Sequence, residues 1–327
     1  MKELNSNPIL SVKNLNISFN TNTKFKKHIV KAVDDISFDV YPGETFGLVG
    51  ESGCGKTTTG RCIIRLYSPS GGSITLHGRE ITGPMTKELR RYISSNISMI
   101  FQDSMESLNP RMTIAEIIGE GLRVKGLKDK NDILEKIYAI LEKVGLTREQ
   151  AGRYPHEFSG GQRQRIGIAR AIVVAPSLII ADEPVSALDV SIQAQVINLL
   201  NDLKKELNLT ILFIAHNLSV VKYFSDRIGV MYCGRLLEVA SKEEIYQYPY
   251  HPYTRALLSA SPNPNPLSEK RRERLVYEPA KEHDYSAEKP EMLEISENHL
   301  IFASQSEAEQ YRKLYERRIE NDTNKKC

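Results

Sequence analysis

Little in this chain points to a membrane span, a metal framework or a disulfide scaffold. Its 327 residues hold four cysteines, Cys54, Cys62, Cys233 and Cys327, with no CxxC spacing and no matching histidine pair. Neither a zinc site nor a disulfide network is expected, and a reducing compartment fits. No apolar run approaches the roughly 18 to 20 residues that cross a bilayer. The opening MKELNSNPIL lacks the apolar core of a signal peptide. If the protein works at a membrane, other chains must anchor it. Charge excess is missing too: 44 Lys and Arg against 41 Asp and Glu leave +3, with both signs mixed along the chain. That offers no clustered basic face for nucleic acid. There are no internal repeats and no histidine-rich tract.

What remains is ordinary globular material, 40% hydrophobic and 26% charged, long enough for one large or two modest domains. Three short apolar runs stand out, TFGLVG (45–50), SLIIAD (177–182) and TILFIAH (210–216). They are continuous rather than alternating, the pattern of strands buried on both faces of a parallel sheet. Helical patterns separate them. In SIQAQVINLLNDLKKEL the residues Ile192, Val196, Leu199, Leu200, Leu203 and Leu207 keep a 3.6 period. The alternation reads as α/β.

Other textures flank that core. SVKNLNISF and AVDDISFDV alternate apolar and polar residues and predict an antiparallel lobe. About 103–165 reads as a mostly helical insertion. Within it, NDILEKIYAILEKVGL (131–146) places Ile133, Ile137, Ile140, Leu141 and Val144 on one helical face. Asp132 with Glu135 is expected to cap that helix and Gly145 to stop it. From Tyr246 the composition shifts: seven of fifteen prolines follow residue 248, and charges crowd into SEKRRER (268–274). A peripheral, partly ordered extension is expected there, retaining Leu293, Ile295, Leu300, Ile301 and Phe302 as apolar groups.

Chemistry is concentrated in a few short segments. GESGCGKTT, made of Gly50, Glu51, Ser52, Gly53, Cys54, Gly55, Lys56, Thr57 and Thr58, matches G-x-x-x-x-G-K-[ST] directly after a predicted strand. Glycines let the backbone curl until successive N–H groups wrap a phosphate, and the following helix adds its dipole. Lys56 supplies charge to the β- and γ-phosphates, and Thr57 offers its hydroxyl to Mg²⁺. LIIADEP ends a buried strand in Asp182 and Glu183. Ligands bind at the ends of parallel strands, so Asp182 suits Mg²⁺ and Glu183 suits an attacking water. His216 closes the third run; alone it reads more readily as a structural histidine, and beside the other elements as a γ-phosphate contact. Gln102, in MIFQD, follows an apolar stretch and alone reads equally as an ordinary surface amide or as a site residue. In HEFSGGQRQRIGIARA (156–171), Ser159, Gly160, Gly161 and Gln162 open a second helix start able to hold an anion.

The order GESGCGKTT, Gln102, FSGGQ, LIIADEP, SALD (186–189) and His216 resembles the nucleotide-binding subunit of ATP-binding cassette (ABC) transporters, over residues 10 to about 260. The resemblance implies a P-loop NTPase with a RecA-like core, an antiparallel β lobe and an inserted helical subdomain. The cassette would occupy 1–245, its helical part about 103–165, and a C-terminal extension 246–327. It implies ATP hydrolysis with Mg²⁺, Glu183 as base, and Gln102 reaching both the metal and the attacking water. Two cassettes dock head to tail in this family, so Ser159, Gly160, Gly161 and Gln162 would meet the γ-phosphate of a partner's ATP. Asp189 would link the two sites. Phe19 stands where the family places an aromatic under adenine; a core phenylalanine is the competing reading. Phe158 replaces the family's usual leucine.

YPYHPYTRALLSASP (248–262) is similar to the segment after the cassette in the peptide and nickel importer subfamily, above all its oligopeptide branch. That implies a heterodimer with a sister ATPase, two transmembrane permease subunits and, indirectly, an extracellular peptide-binding protein. The location implied is the cytoplasmic face of the membrane. Many relatives carry a cysteine motif for an iron–sulfur cluster; with only Cys327 after Cys233, no cluster is expected. Oligopeptides lead as cargo, then dipeptides, then nickel or a sugar. Two rivals are a soluble cassette protein acting on ribosomes or DNA, and a scaffold with a dead site.

Overall fold

A computed structural model describes residues 7–23, 26–103, 107–260 and 274–324, without the side chains of 21–28 and 321–324. The SPNPNP and nearly all of the SEKRRER stretches, and Cys327, lie outside the described residues, as does part of the NTNTKFKKH loop.

The antiparallel lobe is a four-stranded sheet in the order β2-β1-β4-β5, from β1 (Leu10–Thr23), β2 (Lys26–Val40), β4 (Gly71–Leu76) and β5 (Arg79–Glu80). Alternation along β1 changes phase midway: Leu10 and Val12 are buried, then Leu15 and Ile17. A one-residue slip normally turns apolar groups to solvent. Here a register shift between Val12 and Leu15 absorbs it, with Asn14 at φ +48°. Asp35 on β2 answers at φ +57°, and Asn14 Nδ2 donates to its Oδ1 at 2.9 Å. The paired bulges keep both strands' apolar sides on one core.

The main sheet has eight strands, ordered β11-β12-β10-β9-β3-β8-β7-β6. At its centre β3 (Thr45–Val49), β8 (Ile211–Ala215) and β7 (Leu178–Asp182) run parallel, and every residue of each is buried. These are the three continuous apolar runs of the sequence. β6 (Ile97–Ile100) and β9 (Arg227–Tyr232) flank them in parallel, and β10 (Arg235–Ser241) turns back antiparallel. Helices α1 (Lys56–Ile63) and α2 (Lys87–Asn96) follow in the first half.

Between β6 and β7 lie α3 (Ile114–Val124), α4 (Lys130–Lys143), two short 3₁₀ turns and α5 (Gly160–Ile172). The apolar face of α4 is buried as its spacing predicts. Its cap differs from the expected Asp132–Glu135 pair. Asp129 is the N-cap, accepting from the N–H groups of Asn131 and Asp132 at 2.8 and 2.9 Å. An acid three residues earlier, just ahead of the run, meets the orphan donors first. Gly145 does end the helix, at φ +73°, donating to Glu142 O while Leu146 N donates to Leu141 O.

The later helices are α6 (Val190–Leu207), α7 (Leu218–Phe224), α8 (Lys242–Gln247), α9 (Pro252–Ala260), the one-turn α10 (Pro279–Glu282) and α11 (Gln305–Asn324). The described end of the chain is not peripheral. β11 (Glu291–Ser296) and β12 (His299–Ala303) form a hairpin, and β12 joins β10 through Glu238↔Ile301 and Val239↔Leu300. The extension thus continues the core sheet. Its apolar groups divide accordingly: Ile295 and Ile301 are buried, whereas Leu293, Leu300 and Phe302 are half-buried. Beneath the seam Glu238 is fully buried; it accepts from the N–H groups of Tyr250 and His251 and pairs with His299 Nε2 at 2.8 Å. A buried carboxylate survives folding because each oxygen is answered.

Candidate active site

The P-loop leaves β3 and feeds α1. Its glycines are demanded by close approach: a Cβ on Gly50 would lie 2.0 Å from Met231 O, and one on Gly55 2.3 Å from Ala32 O. Both sit at positive φ, +155° and +107°. Lys56 Nζ donates to the carbonyls of Gly50 and Glu51, each at 2.8 Å, and lies 3.6 Å from Cys54 Sγ. Burial pushes the Cys54 thiol up, so it stays protonated beside that cation.

Across the sheet, Thr57 Oγ1 donates to Asp182 Oδ1 at 2.8 Å. Asp182 is fully buried, and burial raises its carboxyl above the usual range against the opposing Thr57 hydrogen bond and the Arg61 charge. Its Oδ2 is buried with no hydrogen-bond partner. An orphaned carboxylate oxygen beside a threonine hydroxyl and a phosphate-binding loop fits the shell of a hydrated Mg²⁺.

Glu183 follows in the left-handed region at φ +44°. For a glutamate that conformation costs about 1 kcal/mol or more. The backbone enforces it: Glu183 N donates to Ile214 O at 2.9 Å, and Ser186 N and Oγ close on Glu183 O at 3.2 and 3.1 Å. The side chain is thereby turned toward His216, whose Nδ1 lies 3.0 Å from Oε2, and toward Gln102, whose Nε2 donates to the same oxygen at 3.3 Å. Gln102, Glu183 and His216 line one cleft of about 740 Å³ together with Ser52, Arg61 and Ser186. The sequence segments around residues 52, 102, 183 and 216 therefore share one space.

Other expected residues lie apart from that cleft's lining. Ser159 caps α5 by accepting from Gln162 N at 3.4 Å, while Gln162 Oε1 accepts from Ser159 N at 3.0 Å. Gly161 faces α6, where an added Cβ would meet Ile192 Cγ2 at 2.8 Å. Asp189 is exposed at the N-cap of α6 with no side-chain capping bond. Phe19 stands on β1, half-buried, its ring edge-on to Tyr67 at 5.3 Å. Sequence reasoning missed Arg61, a cleft-lining cation one turn after Thr57. It also missed Tyr253, whose hydroxyl accepts from Glu51 N at 3.3 Å. Helical spacing from Thr57 could have found the first; no local signal says that the second meets the P-loop.

Comparison with known proteins agrees with this geometry. The ABC transporter family profile matches residues 33–186, and that of the oligopeptide/dipeptide transporter C-terminal region matches 237–288. The oligopeptide transport ATP-binding protein OppF of Bacillus subtilis (strain 168) is 53% identical over 300 residues, 91% of this chain and 97% of that protein. The dipeptide transport ATP-binding protein DppF of Lactococcus lactis subsp. cremoris (strain MG1363) is 52% identical over 308 residues, covering 93% and 97%. Among solved structures, the dimeric post-hydrolysis form of the ATP-binding cassette MJ0796 bound to ADP and Pi aligns with a TM-score of 0.64 at 26% identity, over 71% of this chain and 98% of that one. A strand–P-loop–helix unit whose lysine, buried aspartate, strained glutamate and histidine lie toward the ends of parallel strands belongs with these relatives: the chain is a member of the ABC transporter ATPase family, in the group with an oligopeptide/dipeptide transporter C-terminal region.

Proposed function

We propose that this chain is the ATP-hydrolysing subunit that powers oligopeptide import through a membrane ABC transporter. The observation that carries the cargo is the 53% identity to an oligopeptide transport ATP-binding protein over 91% of the chain. A dipeptide cargo is the second reading, favoured by the relative of that name at 52%. On this reading residues 1–245 form the cassette, with its helical part at about 103–165, and 246–327 the extension.

The chemistry follows from the residues. The backbone of 50–58 and Lys56 hold the β- and γ-phosphates, with Phe19 at the adenine. Thr57, Asp182 and Gln102 would hold Mg²⁺, which when bound neutralises phosphate charge. Glu183 accepts a proton from the attacking water, and His216 steadies both Glu183 and the γ-phosphate. Ser159, Gly160, Gly161 and Gln162 serve the ATP of a second, non-identical cassette, and Asp189 connects the two sites. The dimeric state of the MJ0796 cassette supports that pairing. Among the described residues no helix is long and apolar enough to cross a membrane. On this reading two permease subunits anchor the pair at the cytoplasmic face, with an extracellular peptide-binding protein upstream and no iron–sulfur cluster or nucleic acid involved.

The test is uptake in cells carrying Lys56→Ala at the native locus, supplied separately with labelled pentapeptide, dipeptide and nickel. Selective loss of pentapeptide entry is the expected result. Loss of dipeptide entry alone would move the cargo to the second reading, and normal entry of all three would overturn both.

A further inference from the structure

The Gly50–Glu51 peptide unit is held from both sides. Its carbonyl oxygen accepts from Lys56 Nζ at 2.8 Å, and its N–H donates to the Tyr253 hydroxyl at 3.3 Å. The unit is planar, so fixing the direction of the N–H fixes that of the carbonyl. Gly50 adds freedom at this point, since its φ of +155° belongs to a region that glycine enters readily. An anchor on the far side of the peptide is what opposes a flip.

Tyr253 is built to be such an anchor. It lies on α9, in the C-terminal region, some two hundred residues from the loop it touches. Its ring is fully buried, 4.5 Å from the Tyr232 ring and 5.4 Å from that of Tyr277. The helix start that carries it is also fixed. His251 Nδ1 accepts from Tyr253 N at 3.1 Å, Pro252 is the first helical residue, and His251 N donates to buried Glu238 at 3.3 Å. Glu238 in turn pairs with His299 on β12. The hydroxyl is therefore presented to the P-loop by a rigid, doubly anchored element.

We infer that Tyr253 is a positioning residue for ATP: its hydroxyl locks the Gly50–Glu51 peptide in the orientation that sets Lys56 for the phosphates. The C-terminal region thereby contributes to nucleotide affinity. This rests on the ATPase reading above, with Lys56 as the phosphate lysine.

The test uses the full-length chain and Tyr253→Phe, which keeps the buried ring and removes only the oxygen. Equilibrium affinity for MgATP, KM and kcat are measured, with Tm alongside and Tyr277→Phe as the control for losing a hydroxyl in the same cluster. One neutral hydrogen bond predicts a rise of about three- to tenfold in Kd and KM, with kcat within about twofold and Tm near wild type. Tyr277→Phe is expected to match wild type. A merely structural tyrosine would lower Tm without this split. Unchanged Kd in folded Tyr253→Phe overturns the inference. A second measurement needs no variant: the Glu51 amide of wild-type protein exchanges slowly with solvent deuterium if the bond is real, and free exchange also overturns it. Wild type that turns over no ATP would remove the underlying ATPase reading and this inference with it; active wild type with an indistinguishable Tyr253→Phe removes the inference alone.

Discussion

His216 Nδ1 and Glu183 Oε2 stand 3.0 Å apart at the ends of two adjacent parallel strands, and the same oxygen takes the Gln102 amide. Three segments converge on one carboxylate oxygen, which aims it and leaves its partner oxygen for a water. Glu183→Gln keeps the shape and the hydrogen bonds while removing the base. We expect ATP to bind within a few-fold of wild type and turnover to fall by about two to four powers of ten. Phosphate release and equilibrium binding on one preparation check both halves; wild-type turnover would end the base assignment.

Asp182 carries a buried oxygen with no partner. Asp182→Asn removes the charge and keeps the Thr57 hydrogen bond within reach. Half-maximal turnover should then need about tenfold more Mg²⁺, whereas binding of ATP in EDTA should change little. Chelation of wild type should abolish turnover reversibly. A titration of activity against free Mg²⁺ decides it.

Ser159 has two predicted duties that separate by assay. In the single chain it caps α5, so Ser159→Ala should cost about 1 kcal/mol of stability. On the proposed pairing of cassettes its hydroxyl would serve a partner's nucleotide, so the variant should also lose ATP turnover well beyond what that stability loss explains. Melting of the isolated subunit and ATPase of the reconstituted complex give the two numbers. Equal turnover in the complex would leave Ser159 as a cap alone.

His251 is held neutral by its site. Burial, helped by the nearby His283 and Arg255 charges, lowers its pKa from 6.5 to about 3. Between those values the unfolded chain binds a proton that the folded chain refuses. Stability from this group is complete above pH 6.5 and declines as pH falls, by up to about 1.4 kcal/mol per pH unit, until pH 3. His251→Asn supplies an oxygen for the Tyr253 N–H and does not titrate. Its melting temperature should therefore fall less steeply than wild type between pH 6.5 and 5, a slope read by calorimetry.

How much of this was legible follows from how local each signal is. The P-loop, the two acids and His216 sit at the ends of continuous apolar runs, so strand position and chemistry could be read together. Which oxygen receives Gln102 and His216 could not, because it depends on the left-handed turn at Glu183. The helix cap falls at Asp129 rather than the expected Asp132 because its carboxylate reaches the free N–H groups of Asn131 and Asp132, a choice of start that periodicity does not fix. The link from Tyr253 to Glu51, and from Glu238 to His299, joins segments far apart in sequence; Glu51 and Tyr253 each sit in a recognisable segment, but neither pattern says that the two meet. The alternation in β11 and β12 is short and lies beyond a proline- and charge-rich stretch, which is why a peripheral tail was expected where a sheet edge stands.

That edge bears on the order in which the protein is made. Strand β10 is synthesised well before β12, so a ribosome releases the cassette core with one flank of its sheet open, presenting the buried run from Leu236 to Ala240. Unpaired strand edges recruit other chains. The nascent protein is thus most prone to aggregate in the interval between these two strands, and a stop codon before residue 291 would freeze it there. The last hairpin acts as the seam that closes the molecule, and shortened forms should fail by insolubility before they fail by chemistry.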